Sequence, residues 1–456
     1  MRAVRPWLAA AALAIAFCML CAGPAAARQK WSTRVFAHIP SPGYPALSLV
    51  APDRTIYLGT FTNAAGTDTG PSKVFAYGPG GKLRRTYTIT GQTAGAAHGV
   101  QVAAIDARGL LYLLDQNPAR VLTLNPKTGV QRTYSTFKDV PPCTSATQPN
   151  GDCSDTVLDN PPEPDYAAWG PDRTLYVTDY QQGLIWRVPP GGGAAHVWFT
   201  DPQLDGSDFG PAGIVLLPDH RTLMFDTSAG GVTTPGDPTT GKLYTIPIEQ
   251  NGAPGTLTKV WESGPKQAPD GFALTRSGHV FLALVGPQTN QLVELTEGGQ
   301  ELSRFPLDTS GSNGSPVPFD EPSSVQFDGS RMLVTNDAYF SGDASHFVVF
   351  DVWAGEPGAP VFVPGLRPRY RLTVHPRRVR VGTRRLHFHA TRDGQPLAHA
   401  FVRFGSHIVR TGRHGNAVIV ADLDTARRLR ARLMSGAGRH ARRLARVAIV
   451  VVEASG

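Results

Sequence analysis

One strand pattern recurs six times between residues 44 and 353, and a chain built on such a repeat has few folds open to it. Most copies open on a proline followed by a small or acidic residue, run through a short apolar strand, turn, and return through a β-branched or aromatic strand. Pro45-Ala46 leads to Asp53-Arg54-Thr55-Ile56-Tyr57-Leu58, and Pro164-Asp165 leads to Asp172-Arg173-Thr174-Leu175-Tyr176-Val177-Thr178-Asp179. Aligned on the returning strand, the copies place Tyr57, Tyr112, Tyr176, Leu223, Phe281 and Leu333 in one column, at spacings of 55, 64, 47, 58 and 52 residues. Units of this length made of short strands stack radially, as the blades of a β-propeller. Helical periodicity is almost absent. The sequence therefore predicts an all-β chain: a six-bladed β-propeller followed by a small β-sandwich, with residues 28–43 supplying or closing a strand of the last blade.

Arg2 and Arg5 precede an apolar run from Trp7 to Cys21, and Ala25-Ala26-Ala27 follows it, which is the order of regions in a secretory signal. The expected mature chain starts at Arg28 and is secreted, extracellular or associated with the cell envelope. It keeps no transmembrane anchor, because the run is shorter than the roughly 20 residues a spanning helix needs. Cys18 and Cys21 leave with the signal. Cys143 and Cys153 remain, and in an oxidising compartment they are expected to close a short disulfide loop within the long segment 138–162, which carries Asp152, Asp155 and Asp159.

Charge divides the chain. Residues 367–456 hold 20 Arg, no Lys and four acids, a net +16, which leaves −8 for everything before them out of an overall +8. Such a break marks a domain boundary. It falls at a Pro/Gly-rich stretch, so the expected organisation is a signal over 1–27, the propeller over 28–354, a linker over 355–367 and an Arg-rich sandwich over 368–456. No segment carries the aromatic interleaving that stacks nucleic-acid bases. The basic domain is instead expected to meet a polyanionic component of the cell envelope, and the protein is expected to be a monomer.

Pro269-Asp270-Gly271-Phe272-Ala273-Leu274, running into Gly278-His279-Val280-Phe281-Leu282-Ala283, resembles the gluconolactonase and regucalcin (senescence marker protein) family of six-bladed propellers. Pro211-Ala212-Gly213-Ile214, running into Pro218-Asp219-His220-Arg221, is similar to the preceding blade of that family. The resemblance covers the propeller only. Lactonase-type members hold a divalent cation over the central channel with a Glu of the first blade, an Asn in a Pro-Asn-Gly opening and an Asp in a Pro-Asp-Gly opening. The resemblance thus implies Asp270 as a ligand, whereas Ala212 stands at the Asn position and Gly43-Tyr44-Pro45-Ala46 offers no Glu.

In a propeller, the residue after each opening proline begins the innermost strand near the axis. That ring reads Ala46, Gln101, Asp165, Ala212, Asp270 and Ser323, with Glu163 and Glu321 each one residue before a proline and His98 just before the second opening. Hard oxygen donors of this kind suit a cation such as Ca²⁺. The expected site has Asp270 and Asp165 on the metal, Glu163 or Glu321 as catalytic base, and Gln101, His98 and Ser323 against a small polar ligand. The resemblance implies hydrolysis of a lactone or related ester; the alternative is a non-catalytic binding or scaffold protein.

Other signatures are weaker. Gly236-Asp237-Pro238-Thr239-Thr240-Gly241-Lys242 has the spacing of a phosphate loop, but Leu243 replaces the Mg²⁺-binding hydroxyl and a strand follows, so it reads as a turn. Asp201 to Asp208 lacks the ligand spacing of an EF-hand loop. Trp169, Trp186 and Trp198 fall in or beside strand columns and read as core. In the tail, Gly394-Gln395-Pro396-Leu397-Ala398-His399-Ala400 and Thr411-Gly412-Arg413-His414-Gly415-Asn416-Ala417 resemble bacterial Ig-like and carboxypeptidase-regulatory-like sandwich domains. His387, His389, His399 and His407 lack companion zinc ligands.

Overall fold

A computed structural model of the chain describes residues 28–453 apart from 63–69, 146–151, 156–159, 206–208, 229–238, 287–288, 393–394 and 439. The signal segment lies outside the described residues, as do Asp159 and residues 236–238 of the Gly236–Lys242 stretch. The chain divides into two compact units, Met1–Gly365 and Leu366–Gly456.

The first unit is a ring of six radial sheets, five of four strands and one, that of the second blade, of five, because Gly193–Ala194 adds parallel to Gln131–Thr136. The innermost strands are Ser48–Val50, Val100–Ile105, Pro164–Trp169, Pro211–Leu216, Pro269–Leu274 and Pro322–Asp328. Each pairs antiparallel with the strand that follows it, and two further strands complete each blade. In the sixth blade the outer strand comes from the start of the chain: Thr33–His38 pairs with Val348–Trp353, so the ends of the propeller close the ring together. Arg28 and Arg34 reinforce that seam on Asp351, at 2.6 and 2.7 Å.

Local chemistry explains the repeated hairpin between the first two strands. In blades one, three and four an Asp accepts from the backbone N–H two residues on (Asp53 from Thr55, Asp172 from Thr174, Asp219 from Arg221) at 2.9–3.0 Å. The intervening Arg54, Arg173 and His220 take left-handed φ values of +65°, +75° and +59°. These are Asx turns, in which the side chain replaces a ladder hydrogen bond at the corner. The returning strands are nearly or wholly buried because neighbouring blades cover both faces. Trp186, Tyr176, Phe225, Phe281 and Phe350 are among the largest fully buried side chains, each contributing about 1.5–3 kcal/mol by leaving water.

The registers correct one column of the repeat. Pro164 lies opposite Asp179, Pro269 opposite Leu284 and Pro322 opposite Asn336, whereas Pro211 lies opposite Thr227. Met224, and not Leu223, is therefore the fourth-blade partner of Tyr176, Phe281 and Leu333. A slip of one residue turns a strand side chain to the opposite face, and Leu223 indeed packs in the same cluster as Tyr176 of the preceding blade.

The segment read as a linker is, over most of its length, part of the first unit. Glu356 meets His279 at 2.6 Å, Ala359 N–H donates to Leu274, the Phe362 ring meets His220, and Val363 joins the core of the first two blades. Its Pro and Gly residues mark the boundary between the units, and up to Gly365 the chain follows the propeller surface.

The second unit is a sandwich of two sheets. Gly382–Arg392 pairs with Tyr370–His375, Gln395–Pro396 and Asn416–Leu423; the other sheet runs Arg378–Arg380, Arg443–Val452, Arg428–Met434, Phe401–Phe404, His407–Arg410. Leu386, Phe388, Ile419, Val402, Leu433 and Ile449 form its core. Among the described residues no helix is long and apolar enough to cross a membrane.

Candidate functional site

All six innermost strands begin at the same end of the ring, and hydrogen bonds between blades draw their first residues together. Thr178 Oγ1 of blade three donates to Ala212 O of blade four at 2.7 Å, and Thr335 Oγ1 of blade six donates to Ala46 O of blade one at 2.8 Å. Tyr166 reaches from blade three to blade six, across the axis, where its hydroxyl donates to Ser323 O at 3.0 Å. A Cβ on Gly271 would lie 2.5 Å from that hydroxyl. The glycine of Pro269-Asp270-Gly271 is therefore what lets the tyrosine close the channel beneath the mouth.

Above this plug stands a set of acids. Asp165 accepts from Gln101 Nε2, and Glu163 accepts from Gln116 Nε2. Asp226 and Asp337, which the repeat did not bring to notice, join Asp165 and Asp270 in one electrostatic group. Burial pushes Asp165 well up from the ordinary carboxylate range, and the charge of Asp270 adds to it. Burial raises Asp226 likewise, followed by the charges of Asp270 and Asp165. Asp337 is raised by burial and then by Glu321 and Asp165. Asp270 is raised by burial, partly offset by the neighbouring Tyr166 hydroxyl, and the charge of Asp337 adds to the rise. Among the described residues, the leading influences on these four include no arginine or lysine.

Three carboxylate oxygens in the group, Asp226 Oδ2, Asp270 Oδ1 and Asp337 Oδ1, are buried without a hydrogen-bond partner, as is Gln101 Oε1. Buried charge without a partner is costly, so the group must be protonated or neutralised by a cation. Glu163 and Glu321 flank it, and burial pushes each up to about 7. Glu321 takes a φ of +58° and accepts from Phe340 N–H at 2.7 Å. A left-handed carboxylate residue is strained, and such strain persists where the surroundings hold it.

Asp226 has a particular local meaning. Its strand position matches Thr178 and Thr335, whose hydroxyls bridge to the next blade. Asp226 Oδ1 accepts from Gly213 N–H at 3.0 Å, as Thr178 Oγ1 does from Tyr166 N–H and Thr335 Oγ1 from Ser324 N–H. Asp226 Oδ2 and Asp270 O both crowd the point a Cβ on Gly213 would occupy, at 2.9 and 2.7 Å. Asp226 thus takes over the threonine's acceptor role within its own blade, while its Oδ2 makes no hydrogen bond to the next blade.

The other expected contacts are placed differently. Both ring nitrogens of His98 face carbonyls, Gly70 O at 3.0 Å and Thr93 O at 2.5 Å, so neither is offered to a ligand. Ser323 is buried, and its hydroxyl is engaged by Ala46 O and Thr335. Gln101 remains at the axis with one free acceptor. Aromatic residues supply what the sequence did not single out. Phe61 and Tyr180 cluster with Ala46, against Tyr44, Phe209 and Tyr339, and Tyr180 stacks on Phe209 at 5.9 Å. They come from loops of different blades, so no single motif announces them.

The Cys143–Cys153 disulfide is present. Its loop is tied to blade three: Asp152 accepts from Val197 N–H, Asp155 N–H donates to Thr200, and Ser154 donates to Gln182 O.

Whether the axial acids suit a metal can be judged from their oxygens. The donor set is hard and anionic, as Ca²⁺ prefers. Among the described residues, however, the three-residue group of His, Cys, Asp or Glu whose ligand atoms all lie within 4.8 Å of one another is His279, Glu294 and Glu356, not an axial trio. Ca²⁺ holds oxygens at about 2.4 Å, so at the axis two carboxylates at most could bind it directly, with Gln101 and water completing the shell. The His279 group lies on the opposite face, where Lys30 already pairs with Glu294. It ties the N-terminal residues and the segment after the last blade to blade five.

No family model matches the chain, and no curated protein matches it. Among solved structures it is similar to a calcium-binding protein, regucalcin, from Agrobacterium tumefaciens, at 17% identity over 73% of this chain and 99% of that one, with a TM-score of 0.46. It is also similar to virginiamycin B lyase from Staphylococcus aureus, solved with quinupristin, at 17% identity, 69% and 82% coverage and a TM-score of 0.43. A PQQ-bound aldose sugar dehydrogenase from Streptomyces coelicolor is similar at 14% identity, 70% and 95% coverage and a TM-score of 0.45. The propeller rests on the sheet order described above, and no activity or family membership follows from likeness at these values.

Proposed function

We propose that the acidic mouth of the propeller binds a divalent cation, Ca²⁺ being the best match to its donors, and hydrolyses a lactone or related small polar ester. The observation that carries this reading is the buried acidic group with three unpartnered carboxylate oxygens, whose leading electrostatic neighbours among the described residues are other acids. Asp270 and Asp165 are the residues to hold the ion, with Gln101 Oε1 as a neutral donor. A cation there supplies a Lewis-acidic contact for a carbonyl oxygen. The chain supplies the rest. Glu163 and Glu321, each pushed up to about 7, can take and return a proton at neutral pH, which suits a group that deprotonates water and then protonates a leaving alkoxide. The aromatic collar gives a ring-shaped substrate flat apolar walls. Secretion, a regucalcin-like ancestry and an Ig-like second unit belong to the same reading.

The test is a screen of γ- and δ-lactones and small esters against the full chain, with Ca²⁺ and with a chelator. Turnover that needs the cation, rises with an apparent pKa near 7 and falls about a hundredfold in Glu163→Gln or Glu321→Gln is expected. Turnover unaffected by the chelator, or none with the cation bound, would sink the hydrolase reading.

The second reading, a binding site without turnover, is favoured by one observation: among the described residues no three axial carboxylates converge to the span of a single ion. On that reading the mouth recognises a small polar ligand through the same cation and collar.

A further inference from the structure

The second unit carries an arrangement that opposes its own stability. In the five-stranded sheet, Arg403 lies directly opposite Arg432, and Arg432 directly opposite Arg446, so three arginines form one row across three adjacent strands. Arg428 and Arg430 extend the same face along the middle strand, and Arg378 lies in register with Val450, which itself faces Arg428. Residues paired in this way point to the same side, and their β-carbons lie about 5 Å apart. That is inside the screening length of roughly 8 Å at physiological salt, so the repulsion survives in solution. None of the five strands of this sheet contains an acid.

The side chains are available. Arg428, Arg430, Arg432 and Arg446 are exposed, and among the described residues no salt bridge reaches them. Arg403 donates to Ala437 O at 3.2 Å, but its Nε is buried without a partner. Arg428, Arg430 and Arg446 also line, with Arg371 and Arg377, a cleft of about 700 Å³ between the edges of the two sheets. An arginine-rich composition alone would load both sheets. Yet the strands of this sheet hold nine arginines and no acid, whereas those of the other hold four arginines, Arg371, Arg384, Arg385 and Arg392, and carry Asp422.

We propose that this face and the adjoining cleft bind a linear phosphate-bearing polymer. Guanidinium forks match oxyanions bidentately, and Arg in place of Lys is the choice for that geometry. Neighbouring forks on three twisted strands are not coplanar. A tetrahedral phosphate presents its oxygens in three dimensions and so meets forks that are not coplanar, whereas the two oxygens of a carboxylate and their lone pairs lie in one plane. Along the middle strand the arginines recur every second residue, about 6.8 Å, which suits a chain carrying a charge at each unit. The face offers no aromatic row for bases, so the polymer is a phosphate chain without them.

Inorganic polyphosphate, end-labelled and titrated with the full chain at several salt concentrations, is the probe. Binding that weakens steeply with salt is expected, as is a loss of about tenfold or more in the double variant R432Q/R446Q, equivalent to one or two charge-assisted contacts. Arg385→Gln, on the other sheet, should leave binding unchanged. Thermal unfolding of R432Q/R446Q guards against misfolding as the cause: relief of the repulsion should hold or raise its Tm. Polygalacturonate of matched charge should bind several-fold more weakly. The proposal is overturned by absent polyphosphate binding at low salt, by wild-type affinity in the double variant, or by equal affinity for polygalacturonate.

Discussion

Asp226 separates structural protonation from metal binding. It stands where Thr178 and Thr335 stand in their blades, and burial keeps its carboxyl protonated well above the usual range. Its Oδ1 accepts from Gly213 N–H as their hydroxyls accept from the strand beside them. Asp226→Thr should therefore keep the fold, with a Tm within a few degrees of wild type at pH 7, and should leave Ca²⁺ affinity within about threefold, a difference under 1 kcal/mol. Asp226→Ala should lose about 1–3 kcal/mol, because Gly213 N–H is then left unpaired inside the ring. Chemical denaturation of both variants checks this, and equal loss in the two would contradict the hydroxyl-like role. The same residue shows where sequence reading stops. Asp165 and Asp270 follow a proline at an equivalent point in their blades and could be placed beside the axis from spacing alone. Asp226 and Asp337 follow no such proline, and the fourth column was misplaced by one residue because Leu223 and Met224 are equally apolar. His98 and Ser323 lie close to the axis in sequence, but only the folded chain shows that carbonyls already occupy them.

The element that depends most on distant sequence is the closing strand Thr33–His38. It fills the outer edge of blade six, pairs with Val348–Trp353 along its length and carries Arg34 onto buried Asp351. The need for such a strand was legible, since six copies of the repeat leave the last blade one strand short. Its register was not, because a strand of mixed burial sets its pairing through its partner. Without it the unpaired backbone of Val348–Trp353 becomes an exposed sheet edge, a template for association. A chain beginning after His38 should lose cooperative unfolding and aggregate, as read by calorimetry and light scattering. Retention of a sharp monomeric transition would show that the ring does not depend on closure. The collar of Phe61, Tyr180, Phe209 and Tyr339 was illegible for a different reason: these residues sit on loops of different blades, and only closure of the ring brings them round one opening.

At the scale of the whole molecule, the acidic mouth sets how stability and cation binding respond to pH. Glu163 and Glu321 have folded values pushed up to about 7, and Asp165, Asp226, Asp270 and Asp337 are raised in the same direction. A carboxyl whose folded value exceeds its unfolded one binds more protons in the folded state. Its contribution is fully present below the unfolded value, near pH 4, and is lost as pH rises through the folded value, near pH 7 for the two glutamates. The cation-free protein should therefore lose stability between about pH 5 and pH 8, and a cation that takes the place of those protons should restore it. Calorimetric titration of Ca²⁺ into the metal-stripped full chain at pH 6 and pH 8, alongside Asp270→Asn, tests the central claim most directly. One site per chain, tighter at pH 8, releasing protons on binding and lost in Asp270→Asn, is the predicted result; no binding at pH 8, or binding indifferent to Asp270→Asn, would contradict a cation site at the propeller mouth.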